Sequence, residues 1–395
     1  MRTNSRIPKG FIHADGTRLV DGEGKTFQIR GVNLGNWFVP ECYMSVQSVG
    51  DFDTGVYTVE RALRAMKANP KLTDSQIEEL YRIYMDNYTT EEDFREIAEI
   101  GLNTVRLPFT WMDLTTDGLT LKPDAFHYLD WALDMCEKYG LYAVVDLHGA
   151  VGSQNQDFHS GDDAHFDLYG NPEHRRMTIE LWKIIAERYR DRTIVAGYDL
   201  LNECRRAFGK FGGKINSDFY DELVRAVRSV DQNHLIFIEY FTFPIHGVGV
   251  RHYDWKNVAV EYHIYNLTPL SQKNCLRLIR LMHQVSGNTK VPVYVGEFNA
   301  WNKVKDWDVT IDYFNRIGWS WSSWAYKVNE YPYKHEFGKE HAGRDWGLYV
   351  LDIKPVDLST ADFEEIADVY RRTASINAKK TYIYDFYRRK LSGSR

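Results

Sequence analysis

The chain has 395 residues, of which 44% are hydrophobic and 14% aromatic, and it carries a formal net charge of -6. This charge gives no basic surface for nucleic acid, so nucleic-acid binding is excluded as a function class. The length exceeds that of most domains, yet barrels of alternating strands and helices often reach it, so we expect one large domain.

The spacing of the cysteines and the length of the apolar runs bear on the cellular compartment of the protein. The four cysteines show neither a C-x-x-C pattern nor a mixed cysteine and histidine spacing, which disfavours a zinc site or a disulfide framework. Residues 1–10 lack an apolar core, and no apolar run has membrane-spanning length. The sequence as written therefore predicts a cytoplasmic protein without a membrane span, and a secreted one if a signal peptide has been removed. It predicts no oligomeric state.

The first predicted element is a β-hairpin. Asp15 with Gly16 and Asp21 with Gly22 interrupt short alternating runs between residues 11 and 27. We predict that residues 1–27 form an N-terminal extension with this hairpin, packed on a barrel of residues 28–395.

Strand-like apolar runs alternate with helical patterns along the rest of the chain. A long loop after the first strand, residues 34–89, carries Trp37, Glu41 and a helical stretch near residues 74–86. Eight nearly apolar strands predict an α/β fold, a (β/α)8 TIM barrel with elaborated βα loops. No G-x-G-x-x-G or Walker pattern follows any strand, which excludes the usual nucleotide-binding folds. The predicted strands cover residues 28–33, 103–107, 143–147, 195–201, 235–239, 258–262, 293–296 and 319–324.

Two of these strands end in a carboxylate. Glu203 follows the fourth strand directly after Asn202, and Glu297 ends the seventh. Strand ends in such a barrel carry the chemistry, and two facing carboxylates are what glycoside hydrolysis requires. Other polar or aromatic side chains near the strand ends are Asn33, Arg106, His148, His263, Tyr265 and Trp324.

These motifs resemble glycoside hydrolase family five, a group of retaining barrel glycosidases of clan A. The resemblance runs from about Gly31 to Lys327 and includes Asn-Thr-Val-Arg-Leu-Pro around Arg106 and Asp-Leu-His-Gly around His148. Residues 30–37, Glu41 and residues 146–155 are similar to the exo-β-1,3-glucanase subgroup. The resemblance implies that Glu203 is the acid/base and Glu297 the nucleophile. The other side chains that it places around the substrate are Glu41, Arg106, His148, Asn202, His263, Tyr265, Trp324, Asn155 and Trp37.

Physical chemistry leads to the same two roles. A retaining double displacement needs the carboxyl groups roughly 5 Å apart, which strands four and seven of one barrel can provide. Arg106 is a suitable partner for the Glu297 charge, and Tyr265 a suitable donor to it. Asn202 is expected to bind the sugar 2-OH and Trp324 to stack on the ring. None of these steps calls for a metal or another cofactor.

Three segments depart from the family pattern. Cys204 and the two arginines after it replace the usual proline after the acid/base, and Trp-Ala-Tyr-Lys at residues 324–327 replaces Trp-x-Trp-Lys. The aromatic clamp of fungal exo-glucanases has no close counterpart after the fifth strand, where residues 241–244 are a candidate substitute. We therefore expect the glycone pocket to follow the family pattern and the aglycone side to differ from it.

The sequence predicts a retaining β-glycosidase that removes glucose from the non-reducing end of β-glucan oligosaccharides or β-glucosides. Within the resemblance, a Glu at the position of Glu41 grips distal hydroxyls of the terminal glucose, which favours exo attack. The alternatives are an endo-β-glucanase, a β-mannosidase, a glucosidase for lipid or aryl β-glucosides, and an inactive carbohydrate-binding barrel.

Overall fold

A computed structural model describes residues 10–50, 58–205, 212–239, 253–265, 272–286, 289–300, 304–331 and 346–392. The chain divides into two compact units. The first contains Met1–Asn33, Asn103–Asn155 and Phe166–Trp324, and the second contains Leu34–Leu102, Gln156–His165 and Ala325–Arg395. The domain boundary predicted at residue 27, with residues 28–395 as one domain, stays a prediction.

The first unit contains a closed barrel of eight parallel strands, numbered β1 to β8 in chain order. Each strand pairs with its neighbours in sequence, and β8 pairs with β1 to close the barrel. The bounds are β1 Arg30–Asn33, β2 Thr104–Thr110, β3 Tyr142–Gly149, β4 Val195–Asp199, β5 Leu235–Glu239, β6 Val258–Tyr265, β7 Val293–Asn299 and β8 Ser320–Ser323. All eight coincide with predicted strands, so the predicted (β/α)8 barrel is confirmed.

The strands are almost entirely buried, as expected of parallel strands with a packed interior and a helical layer outside. Helix ends in this unit follow local sequence signals. Pro172 occupies the first turn after the N-cap Asn171, and Gly140 ends its helix at a left-handed φ of 68°. The helices are Trp111–Leu114, His127–Tyr139, Pro172–Tyr189, Gly212–Val230, Gln272–Ser286 and Val304–Ile317.

The predicted hairpin is present and has a third short strand. His13–Asp15 pairs with Arg18–Val20, which pairs with Thr26–Phe27, all antiparallel. The Ala14 amide donates to Asn257 Oδ1 at 2.8 Å, just before β6. Ile12 and Leu19 join a buried cluster at the N-terminal half of the barrel, so this sheet covers the end opposite the predicted site. The cluster also contains Ile29, Tyr142, Val144, Ala196, Leu235, Phe237, Ala259 and Tyr294.

The second unit is built from helices and two small sheets. Residues 34–89, predicted as a loop, belong to it, and the predicted helix near residues 74–86 is observed as Asp74–Tyr88. The helices are Val59–Ala68, Asp74–Tyr88, Glu91–Glu99, Phe363–Arg371 and Tyr382–Ser392, with 3-10 turns at Phe158–Ser160 and Ser375–Asn377. The strands are Gln47–Ser48 paired with Val356–Asp357, and Lys327–Asn329, Tyr349–Leu351 and Lys379–Lys380 in a second sheet. Across the described ranges of both units, every helix is too short or too polar to cross a bilayer.

Candidate active site

The Arg106 guanidinium is the centre of the site. It lies inside the barrel on β2 and is fully buried. Its Nε and Nη2 donate to Asp199 Oδ2 at 2.9 and 2.7 Å, and Nη2 also donates to Asn202 Oδ1 at 2.9 Å. Its Nη1 donates to Asn33 Oδ1 at 3.0 Å and to Glu297 Oε1 at 2.8 Å. All five donors of the guanidinium are used, so one side chain fixes groups from β1, β4 and β7.

The two predicted catalytic carboxylates face each other. Glu203 comes four residues after β4 and Glu297 lies on β7. One oxygen of each lies within 4.8 Å of the other and of a ring nitrogen of His263. This separation matches retaining glycosidases and is too short for the water that an inverting mechanism places between the carboxyl groups.

Strand β6 provides a partner for each carboxylate. The Tyr265 hydroxyl donates to Glu297 Oε2 at 2.5 Å, and His263 Nδ1 lies 2.7 Å from Glu203 Oε1 and 3.5 Å from Glu297 Oε2. Residues two apart on a strand share a face, which is why His-x-Tyr can reach the same gap. The spacing of the three ionisable groups also suits a metal ion. However, Glu203 and His263 contact each other at 2.7 Å, and Glu297 is bound by Arg106 and Tyr265, which favours hydrogen bonding within the site.

A bulge sets the register of Glu297. Tyr262 pairs with Val295 and His263 with Glu297, so Gly296 is the extra residue on β7. A Cβ on Gly296 would lie 1.5 Å from Glu261 Oε1, and that carboxyl lies 3.7 Å from Arg106 Nε. A glycine is therefore needed where the buried Glu261 side chain passes the strand.

Replacing Gly296 with alanine is expected to destabilise the fold by about 1–3 kcal/mol, the usual cost of overpacking, and to lower activity by moving Glu261 against Arg106. Gly170→Ala is the matched control, because its Cβ would come no closer than 4.0 Å to its neighbour. Urea unfolding and glycoside hydrolysis measure both effects. Equal stability of the two variants would show that Glu261 has room to move.

The third strand and the segment after it supply another part of the site. His148 Nδ1 lies 2.7 Å from Asp146 Oδ2, and its Nε2 lies 3.4 Å from Asn202 Nδ2. The His148 ring is parallel to that of Trp324, with centroids 5.8 Å apart. Asn155 Nδ2 donates to the Glu203 carbonyl at 3.1 Å. These predicted residues therefore connect to the same cluster.

A family model described as Cellulase (glycosyl hydrolase family 5) matches residues 63–330, more than half of the chain. The chain belongs to glycosyl hydrolase family 5. The family 5 match covers every predicted site residue except Trp37 and Glu41, and it bears out the recognition made from the motifs.

Relatives with assigned names cover part of this family 5 chain. It is 31% identical over 262 residues to a beta-xylosidase of Phanerodontia chrysosporium, covering 65% of this chain and 52% of the relative. It is 31% identical over 261 residues to a glucan 1,3-beta-glucosidase of Candida oleophila, covering 61% and 58%. The chain thus spans little more than half the length of these relatives. The crystal structure of a rutinosidase from Aspergillus niger is similar in fold, with a TM-score of 0.59, 17% identity, and coverage of 76% of this chain and 90% of that one.

Nine of the eleven predicted site residues of the family 5 chain lie in the first unit, and two lie in the second. Glu41 is buried, and its amide donates to Asn36 Oδ1 at 2.9 Å. Trp37 is buried too, with its indole N–H donating to the Met85 carbonyl at 3.0 Å. Their substrate contacts stay predictions. Residues 241–244 and the second arginine after Cys204 lie outside the described residues.

Sequence reasoning missed Gln154 and a layer of buried acids. Gln154 Nε2 donates to the carbonyls of His148 at 2.7 Å and Asn202 at 2.8 Å, tying the segment after β3 to the one after β4. The acids are Asp146, Asp199, Glu239 and Glu261. The available signal was an acidic residue inside each of four otherwise apolar strands, because a buried charge requires a partner.

Burial raises the pKa values of acids in this buried layer. It raises the pKa of Asp146 to about 7, against the opposing charge of Arg106. It also raises the pKa of Glu261 well above its usual value. Burial lowers the pKa of His263, but the nearby Glu239 and Glu297 charges and the hydrogen bond to Glu203 outweigh it, so this pKa lies well above the usual value.

The raised pKa of Asp146 predicts a pH dependence of stability. Between about 3.8 and about 7 the folded state keeps a proton that the unfolded state releases, so the free energy of unfolding falls as pH rises through this window. In Asp146→Asn this fall should be shallower by up to about 1.4 kcal/mol per pH unit. Urea unfolding of both proteins across the window measures it. Parallel curves would contradict a protonated Asp146.

Proposed function

We propose that this family 5 chain is a retaining β-glycosidase that releases glucose from the non-reducing end of β-glucan oligosaccharides or β-glucosides. The observation that carries the proposal is the distance of at most 4.8 Å between acceptor oxygens of Glu203 and Glu297. Their separate surroundings support separate roles, since Glu297 is bound by Arg106 and Tyr265 while Glu203 is bound by His263.

In the first step Glu297 attacks the anomeric carbon while Glu203 gives its proton to the glycosidic oxygen, and the aglycone leaves as an alcohol. Arg106 and Tyr265 hold the attacking carboxylate in one orientation, which reduces the entropy lost in reaching the transition state. In the second step Glu203, now a carboxylate, takes a proton from water. That water attacks the anomeric carbon and frees Glu297, and the sugar leaves with retained configuration.

Two side chains are placed to bind the reacting sugar. Asn202 Oδ1 accepts from Arg106, which fixes the orientation of the amide, and we assign its Nδ2 to the sugar 2-OH. Trp324 is held through its main chain, because its backbone N–H donates to the Phe298 carbonyl at 2.9 Å. We assign its indole ring to the apolar face of the sugar.

The sugar and the mode of attack are inferred from the relatives and from one sequence motif. The glucan 1,3-beta-glucosidase relative and the motif around Glu41 favour glucose and exo attack. The beta-xylosidase relative favours a second candidate, a retaining β-xylosidase with the same catalytic pair. Xylose lacks the hydroxymethyl group of glucose, so a pocket that is closed around the sugar ring discriminates between them.

A substrate panel tests the proposal. Nitrophenyl β-glucoside, β-xyloside and β-mannoside are compared with laminari- and cello-oligosaccharides, and products are followed with time. We expect glucose as the first product, from laminari-oligosaccharides and from the aryl glucoside. Preference for the xyloside supports the second candidate, whereas internal cleavage of a long glucan contradicts exo attack. Absence of turnover on every β-glycoside supports a carbohydrate-binding barrel.

A further inference from the structure

The backbone of Glu203 has an unusual conformation. Its φ is +44°, in the left-handed region that residues other than glycine rarely adopt. Such a conformation persists only where surrounding contacts hold it, and it places the Glu203 side chain at the gap opposite Glu297. The contacts of the Glu203 main chain therefore matter for the position of its carboxyl group.

Two side chains bind this main chain, one at its carbonyl and one at its N–H. Asn155 Nδ2 donates to the Glu203 carbonyl at 3.1 Å, and Glu239 Oε2 accepts a short hydrogen bond from the Glu203 N–H. Glu239 is the last residue of β5, and its side chain is wholly buried. No step of the proposed mechanism uses it.

Glu239 also lies beside the residue that binds the Glu203 side chain. Its Oε1 is 3.8 Å from His263 Nδ1, the atom that lies 2.7 Å from Glu203 Oε1. This Oε1 has no hydrogen-bond partner within the described ranges. Glu239 thus contacts Glu203 at its main chain directly and approaches its carboxyl group through His263.

We propose that Glu239 is a positioning residue for Glu203: its hydrogen bond to the Glu203 N–H holds the strained main chain that aims the acid/base carboxyl at the glycosidic oxygen. This inference rests on the proposed function, because it requires Glu203 to be the proton donor. A longer or shorter side chain at the end of β5, or one without an acceptor, leaves that N–H buried without a partner.

Leaving-group dependence separates positioning from a general loss of structure. A dinitrophenyl glycoside departs without a proton, whereas a phenyl glycoside needs one from Glu203. In Glu239→Ala we expect kcat/KM to fall by about 100-fold for the phenyl glycoside and by less than about tenfold for the dinitrophenyl glycoside, within the range for general acid catalysis. Glu239→Gln keeps one acceptor for the N–H and is expected to lie between wild type and Glu239→Ala.

Two further variants make the test decisive. Asp231→Asn alters a buried carboxylate before the opposite end of β5, bound to Tyr198 at 2.8 Å and His234 at 2.5 Å, and it should lower both rates equally. Glu203→Ala is the benchmark for loss of the proton donor. If it shows no leaving-group discrimination, the proposed function fails.

If Glu203→Ala discriminates and Glu239→Ala does not, the positioning role of Glu239 is overturned. Equal discrimination by Glu239→Gln and Glu239→Ala overturns it too, because the retained acceptor would then have no effect. Should the alanine variant not fold, the comparison of Glu239→Gln with wild type and Asp231→Asn decides, and the absence of discrimination in Glu239→Gln counts against the proposal. The aryl glycosides are those of the sugar that the substrate panel identifies.

Discussion

Replacing Glu297 with glutamine is expected to lower kcat on the order of 10⁵-fold or more, because an amide cannot form the glycosyl ester. The fold should survive, since the amide oxygen still accepts from Arg106 and the Tyr265 hydroxyl can accept from the amide nitrogen. Initial rates on an activated aryl glycoside measure the first effect, and urea unfolding measures the second.

Glu187→Gln is the matched control for this change, because Glu187 is an exposed glutamate on the helix Pro172–Tyr189. It should leave activity unchanged.

Azide, added as an external nucleophile, distinguishes the roles of the two carboxylates, because each displacement inverts the anomeric carbon. Glu203→Ala should give a β-glycosyl azide after one turnover through the ester, whereas Glu297→Ala should give the α-azide by direct displacement. The same azide anomer from both variants would contradict the assigned roles.

Replacing Arg106 with leucine is expected to have the second largest effect. It removes five hydrogen bonds and takes away the guanidinium charge that faces Asp199 and Glu297 in the barrel interior. We expect about 3–5 kcal/mol lower free energy of unfolding, the usual cost of breaking a buried ion pair, together with loss of activity. Arg106→Lys keeps a charge without the planar fork and should regain part of the stability and little of the activity. Urea unfolding and kcat/KM test both expectations.

The control for the charge itself is Arg225→Leu. Arg225 is exposed and pairs with Asp221 one helical turn away at 2.7 Å, so its loss should leave the free energy of unfolding almost unchanged. An Arg106→Leu variant as stable as Arg225→Leu would mean that the buried acids take up protons and need no cation.

The barrel was predictable because each strand is a short apolar run bounded by polar residues, so periodicity along the chain carried the information. The catalytic pair was predictable for a related reason, since Glu203 and Glu297 end two such runs. The bulge at Gly296 was not predictable, because it depends on Glu261 from the neighbouring strand occupying the space of a side chain. The sequence around Gly296 does not predict that contact between neighbouring strands.

Other features depend on contacts between distant parts of the chain. Gln154 joins two segments that lie 48 residues apart, and Glu239 binds an amide 36 residues before it. Residues 34–89 are predicted as a loop of the barrel because their partners lie far along the chain, as in the pairing of Gln47 with Val356. Sequence patterns over a short stretch of the chain cannot predict such pairings. The family motifs, in contrast, identify side chains at the barrel mouth.

Trapping the glycosyl ester tests the central claim most directly. The protein is incubated with an activated fluoroglycoside of its preferred sugar, and the modified peptide is identified by mass spectrometry. A single sugar attached to Glu297, lost with return of activity when an acceptor is added, is the expected result. An adduct on another residue, or hydrolysis that inverts the anomeric carbon without any adduct, would contradict a double displacement by Glu203 and Glu297.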